Sequence, residues 1–205
     1  MSVLDALGDQ VGVLIHNLIK GNTKKARRLA DSTRQDLFSC GRSIASQNLI
    51  EDMAQEQAIK SAIINFPSLF PGIGTIISFW LLGAENFLIL DQSVRLLLTL
   101  WIFHDHPEGN KRIDDFVIEV IGEAYNLVNN LSGSTPHAIT RKYMAKELPQ
   151  QYVKMGLNKL LSRLFPYRSR FRLVPFIGIA TSAVDGYETI VRVGQVALKH
   201  IQRHA

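Results

Sequence analysis

Apolar residues recur every three or four positions along most of the chain, the period of a helix with one buried face. In residues 3–20 the series is Leu4, Leu7, Val11, Leu14, Ile15 and Leu18. Gly21-Asn22 is expected to end that helix and Thr23 to cap the next. No proline occurs from 24 to 66, and Leu29, Leu37, Phe38, Ile44, Leu49, Ile50 and Met53 supply an apolar face. That stretch predicts two helices or one bent one, with a break near Cys40-Gly41. Pro67 and Pro71 interrupt, and a long helical stretch from about Gly72 to His106 runs up to the stop signal Pro107-Glu-Gly109. Asn110 can cap an amphipathic helix over 111–131, with Ile113, Phe116, Val117, Val120, Ile121, Ala124, Leu127, Val128 and Leu131 on one side. After the loop Ser132-Gly-Ser-Thr-Pro136 the pattern predicts a short helix at 137–147 and another at 149–165, with Pro149 in its first turn. A last helix ends near Arg203. Alternating strand patterns are scarce. The expectation is an all-α fold, a helical bundle with a long apolar central helix.

One pattern is written twice. Pro71-Gly-Ile-Gly74 is followed by Ser78, and Pro175-Phe-Ile-Gly178 by Ser182, each ahead of an apolar run that ends at an acid. Proline suits a helix start because its missing N–H would be unpaired there, and glycine lets another backbone come close. Two readings follow: a pseudo-repeated pair of elements that pack together with small residues facing, or an ordinary helix start used twice.

The long central helix is apolar nearly all round, yet Ser78, Glu85, Gln92 and Thr99 fall seven residues apart. A seven-residue step drifts only about 20° around a helix, so these residues make one narrow polar seam. Asp91 and Arg95 flank it at i,i+4 spacing and are expected to pair. On the last helix Asp185, Glu188 and Arg192 share one face. The buried polar seam expected of the fold is therefore Ser78, Glu85, Asp91, Gln92, Arg95, Asp185, Glu188 and Arg192. Such a greasy rod must be covered, by protein or by lipid. The 24 uncharged residues between Lys60 and Glu85 reach the length of a membrane span. Two prolines inside them argue against one straight span. The uncharged run Leu173–Val184 is only twelve residues, too short to cross.

Charge adds direction. The chain has 205 residues and a net charge of +5, but the stretch 134–205 alone carries +9, twelve Lys/Arg against Glu147, Asp185 and Glu188. This implies an anionic partner. Arg163, Arg168, Arg170 and Arg172 alternate with Phe165, Tyr167 and Phe171, a composition that suits lipid headgroups or a nucleic-acid backbone. The adjacent apolar helix favours lipid. The candidate membrane or anion-binding residues are thus Arg163, Tyr167, Arg168, Arg170, Phe171 and Arg172. A single cysteine, Cys40, excludes an internal disulfide and fits a reducing compartment. No secretory leader pattern opens the chain.

Reactive chemistry finds little support. Gly72-Ile-Gly74 lacks the third glycine and the preceding strand of a dinucleotide loop, and no phosphate-binding GxxxxGK[ST] or G-x-S-x-G turn occurs. His104, Asp105, His106 and Glu108, with His137 further on, are the best metal candidates, but no second ligand pair at metal spacing accompanies them. Glu85 and Asp91 could serve as an acid/base pair, and they fit better as members of the seam. No catalytic residue, metal or cofactor is assigned.

Pro71-Gly-Ile-Gly74, the apolar run, Asp91-Gln92 with Arg95, the basic helix and Leu173-Val-Pro-Phe-Ile-Gly178 with Val193-Gly194-x-x-Ala197 together resemble the EcsC family of bacterial proteins. The likeness is looser to a helical domain attached to some bacterial GTPases. It covers about residues 60–202. It implies two parts, a helical segment 1–60 and an EcsC-like helical domain 61–205. It also implies a membrane-associated accessory or scaffold protein, peripheral or monotopic at the cytoplasmic side of a bacterial inner membrane. Ile179, Thr181 and Asp185 depart from the Gly/Ala-rich and Asn-bearing family pattern, so shared packing there is not implied. The expected partners are an anionic membrane surface or lipid, with self-association or a membrane protein complex; nucleic acid is the less favoured partner. The alternatives are a soluble bundle holding a lipid-like ligand and a metal-dependent hydrolase around Glu85, Asp91, His104 and His106.

Overall fold

The computed structural model describes residues 3–65, 74–105, 111–125 and 177–204. Within them the fold is all-α: α1 Val3–Asn65, α2 Gly74–Phe103, α3 Lys111–Ala124 and α4 Ile177–His204. α1 is broken at Gly41, whose φ of 74° and ψ of 159° lie outside the helical region and suit only glycine. It is therefore two arms, and the described residues make a bundle of five helical rods. The helices expected at 137–147 and 149–165 lie outside the described residues.

The break predicted near Cys40-Gly41 is present; the one at Gly21-Asn22 is not. The helix runs straight through, because the polar side chains there find partners inside it. Asn22 Nδ2 donates to Leu18 O at 3.0 Å, and Thr23 Oγ1 donates to Ile19 O at 2.7 Å. Thr23 is thus bonded back to the preceding turn and caps nothing.

Contacts fix the directions. Asn22 meets Asp91, and Arg34 meets the carbonyl of Ile102, so the first arm of α1 runs parallel to α2. Ser46 meets His104, and Gln92 meets Met53, so the second arm runs antiparallel. The second arm is also antiparallel to α4, since Gly194 lies on Ile50 and Gly186 on Ser61. It follows that α2 and α4 are parallel and start at the same end of the bundle. The helices that follow the two Pro-x-Ile-Gly stretches therefore share an end.

α3 runs back along α2. Trp101 packs on Phe116 with ring centroids 4.7 Å apart, and Ser93 Oγ lies 3.1 Å from Tyr125 Oη. The inner face of α3, formed by Ile113, Phe116, Val117, Val120, Ile121 and Ala124, is buried as its spacing predicts. α2 sits at the centre: Leu96, Leu97, Leu98, Leu100 and Phe103 have no exposed surface. Each such side chain contributes about 1.5–3 kcal/mol relative to an exposed position. The stretch Ala84–Phe103 is long and apolar enough to cross a bilayer, but 78% of it is buried within the protein. One hydrophobic cluster takes in Leu14 to Ala54 of α1 together with α2, α3 and α4, so residues before 61 share a core with those after it.

Candidate functional site: a polar seam and an apolar end

The seam on α2 is formed as its spacing requires. Glu85, Gln92 and Thr99 are all buried, and Ser78 lies on the same line with its side chain outside the described ones. Gln92 is the hub. Its Nε2 donates to Met53 O at 3.3 Å and to Glu56 Oε2 at 3.0 Å. Its Oε1 accepts from Arg95 and, at 3.4 Å, from Lys60. Lys60 also pairs with Glu56, and Arg95 lies 3.4 Å from Glu56. Burial pushes the Glu56 carboxyl up, but the hydrogen bonds from Lys60 and Gln92 and the charges of Lys60 and Arg95 outweigh it and hold it below the usual value. A carboxyl lowered by folding adds stability above its unfolded value, and that stability is lost as pH falls through the folded value.

Three expected roles change. Asp91 does not pair with Arg95; it accepts from Asn22 Nδ2 at 2.6 Å, while Arg95 turns to Gln92 and Glu56. Glu188 and Arg192 are exposed and stand outside any buried seam. The buried line of α4 is instead Ser182, Gly186, Ile190, Val193, Gly194, Ala197 and Ile201. Close approach to α1 turns the glycine side inward, because a Cβ on Gly194 would lie 2.6 Å from Ile50 Cγ1. Asp185 is half-buried on the border.

Gln57 and Ser61 were missed. Both are fully buried on the second arm of α1, and Gln57 Nε2 donates to Ser61 Oγ at 3.1 Å. The signal was available, since they continue the apolar line Ile50 and Ala54 toward the end of the helix. Glu51, further out on that arm, accepts from Tyr187 Oη at 2.6 Å, which holds its carboxyl low and pushes the Tyr187 hydroxyl up. On α3, burial raises the Asp114 carboxyl against the opposing effect of His16, 3.3 Å away.

The histidine stretch closes the far end of the bundle. Asp105 has a φ of 63°, the left-handed turn that stops α2, and its N–H reaches Ile102 O at 3.1 Å. Arg34 donates to Asp105 Oδ1 and Arg42 to Oδ2, each at 2.9 Å, so one carboxylate ties both sides of the Gly41 break to the end of α2. Arg34 also donates to Ile102 O at 2.6 Å, a cation on the negative end of the helix. His104 Nε2 is 3.0 Å from Ser46 Oγ, but that hydroxyl already donates to Arg42 O at 2.9 Å. While the hydroxyl proton stays on Arg42 O, the imidazole is the donor in this pair. Among the described residues no three His, Cys, Asp or Glu side chains are placed to hold a metal. His106, Glu108 and His137 lie outside the described residues.

At the end where α2 and α4 begin, Ile59, Ile63 and Val184 are exposed by 61%, 65% and 54%. Arg163, Tyr167, Arg168, Arg170, Phe171 and Arg172 lie outside the described residues.

The class this defines is an all-helical bundle around one long, buried apolar helix. No protein-family model, no curated protein and no solved structure matches the chain.

Proposed function

We propose that the protein is a membrane-associated accessory or scaffold protein, peripheral at the cytoplasmic side of a bacterial inner membrane, that meets the bilayer with the end where α2 and α4 begin. The observation that carries this is the exposure of Ile59, Ile63 and Val184 at that end. The uncharged runs 61–84 and 173–184 lead into the same end, and the arginine-rich stretch 163–172 directly precedes the second run. The apolar side chains enter the headgroup layer and the arginines meet anionic lipid. The stretch Ala84–Phe103 is not the anchor, because protein already covers most of it.

Flotation with liposomes tests it. The full chain is expected to float with vesicles containing phosphatidylglycerol and much less with pure phosphatidylcholine. Reversing Arg168, Arg170 and Arg172 to Glu removes attraction worth about 1 kcal/mol per arginine, roughly a hundredfold in partitioning. Ile59→Asp with Ile63→Asp is expected to weaken binding to both vesicle types. Absence of flotation with anionic vesicles overturns the proposal. Native mass spectrometry of the unbound protein separates it from a soluble bundle that retains a lipid-like ligand.

A further inference from the structure

The first arm of α1 carries a charge pattern that neither the core nor the seam uses. Residues 10–30 contain no acid, and five Lys/Arg fall between Lys20 and Arg28. Asn22, Ala26 and Thr33 turn inward. The opposite line is Asn17, Gly21, Lys24, Arg28 and Gln35, all exposed and within about 60° of one another at 3.6 residues per turn. Lys20 and Arg27 flank that line on one side and Lys25 on the other, and all three are exposed. Between 13 and 35 one acid is exposed, Asp31, and Arg34 donates to it at 3.0 Å. The charge of Lys20 acts on Asp114 of α3, whereas Lys24, Lys25 and Arg28 have no acidic partner among the described residues.

Gly21 is a second, independent observation. It lies within the helix without a positive φ, and an added Cβ there would meet nothing within 4 Å. Neither the backbone nor the packing of this chain requires glycine at that position, and glycine is the poorest helix former after proline. It leaves a notch in the centre of the basic line, with Lys24 and Lys25 one turn on and Asn17 one turn back. A group that approaches there reaches the helix backbone itself. The side chains around the notch, Lys, Arg and Asn, are those that contact phosphate oxygens.

Composition selects the partner. No apolar or aromatic side chain is exposed on this arm between 13 and 35. The face therefore has nothing to enter a bilayer and nothing to stack on an unpaired base. Protein interfaces are depleted in Lys and built round an apolar core, which this face lacks. A duplex backbone needs only charge and hydrogen-bond donors, with no reading of bases. Asn22 and Arg34 hold the inner side of the arm to Asp91 and Ile102, so the basic face looks out from the side of the bundle.

We propose that the exposed face of α1 from Asn17 to Arg28 docks the phosphate backbone of double-stranded nucleic acid, with Lys24, Lys25 and Arg28 on the phosphates and Gly21 at the closest approach. The surface is independent of the membrane contact at the end of the bundle, and either can fail without the other.

Fluorescence anisotropy of a labelled DNA duplex titrated with the full chain tests the surface. Binding is expected at about 50 mM salt and to weaken steeply as salt rises. The triple variant Lys24→Gln, Lys25→Gln, Arg28→Gln is expected to bind about tenfold more weakly or worse, with the log–log salt slope reduced by about 3. All three positions are exposed, so the variant is expected to keep its helical circular dichroism. Gly21→Leu is expected to weaken binding by about threefold while raising Tm, because leucine is the better helix former; a variant that was merely misfolded would lower it. No binding at low salt overturns the proposal, as does a Gly21→Leu protein that binds as tightly as the parent. So does an equal loss in Arg192→Gln, Lys199→Gln, Arg203→Gln, which removes the same charge from exposed positions on α4. If the α1 triple variant keeps duplex binding and instead loses flotation on phosphatidylglycerol vesicles, the face belongs to lipid and the proposal is overturned.

Discussion

Asp105 carries two opposed effects in one residue. Its backbone sits at a φ of 63°, which a side chain disfavours, while its carboxylate receives Arg34 and Arg42. Both pairs are well exposed, so each contributes only about 0–1 kcal/mol. Asp105→Ala loses the pairs and keeps the strained backbone, and is expected to cost about 1–2 kcal/mol. Asp105→Gly relieves the backbone and is expected to fall within about 0.5 kcal/mol of the parent. Urea unfolding of the two variants measures the split, and equal losses would assign the whole effect to the arginines. At Gly41 nothing lies within 4 Å of an added Cβ, so Gly41→Ala meets no clash and tests the backbone alone. It is expected to cost about 1–3 kcal/mol in the same measurement. Gly41 was legible in the sequence because glycine is the strongest local breaker. Gly21-Asn22 read the same way and misled, since Asn22 and Thr23 bond to Leu18 and Ile19 within the helix. A breaker pair gives no sign of whether tertiary contacts will satisfy it.

Among the elements, α2 was legible as a helix that must be covered, but its sequence did not choose between protein and lipid, and protein buries 78% of Ala84–Phe103. Its seam followed from spacing alone, and Glu85, Gln92 and Thr99 are buried as that spacing requires. The partners of the seam were not legible. Arg95 at i,i+4 looked like the mate of Asp91, but a residue 69 positions away in sequence holds that carboxylate. α4 failed for a different reason: its face was chosen by charge, whereas closest approach decided it. Gly194 is where that approach is tightest, with Ile50 Cγ1, Cδ1 and Cγ2 at 2.6, 2.7 and 2.8 Å from an added Cβ. Gly194→Ala is expected to cost about 1–3 kcal/mol through overpacking. Ile50→Ala alone costs about 2–5 kcal/mol through the cavity it leaves. The double substitution is expected to cost less than the sum by about 1 kcal/mol or more, because the new methyl occupies space Ile50 vacates. Additive losses in denaturant unfolding would show that the two helices separate there without penalty.

For the molecule as a whole, parallel α2 and α4 give the bundle two unlike ends. One is tied by Asp105, Arg34 and Arg42 and exposes Ile44; the other carries the exposed Ile59, Ile63 and Val184. The arginine-rich stretch was legible only as composition, and it lies outside the described residues. The two tryptophans lie on α2 at positions 80 and 101, about 32 Å apart at 1.5 Å per residue. Trp101 is packed on Phe116 near the Asp105 end. This makes orientation measurable with brominated phosphatidylglycerol vesicles. In Trp101→Phe protein the remaining Trp80 is expected to be quenched on binding. In Trp80→Phe protein the remaining Trp101 is expected to keep its emission, since end-on contact leaves it beyond the reach of bromine in the acyl chains. Quenching of both to the same extent would mean that α2 lies along or inside the bilayer. Quenching of Trp101 alone would mean that the Asp105 end makes the contact, and either result would overturn the proposed orientation.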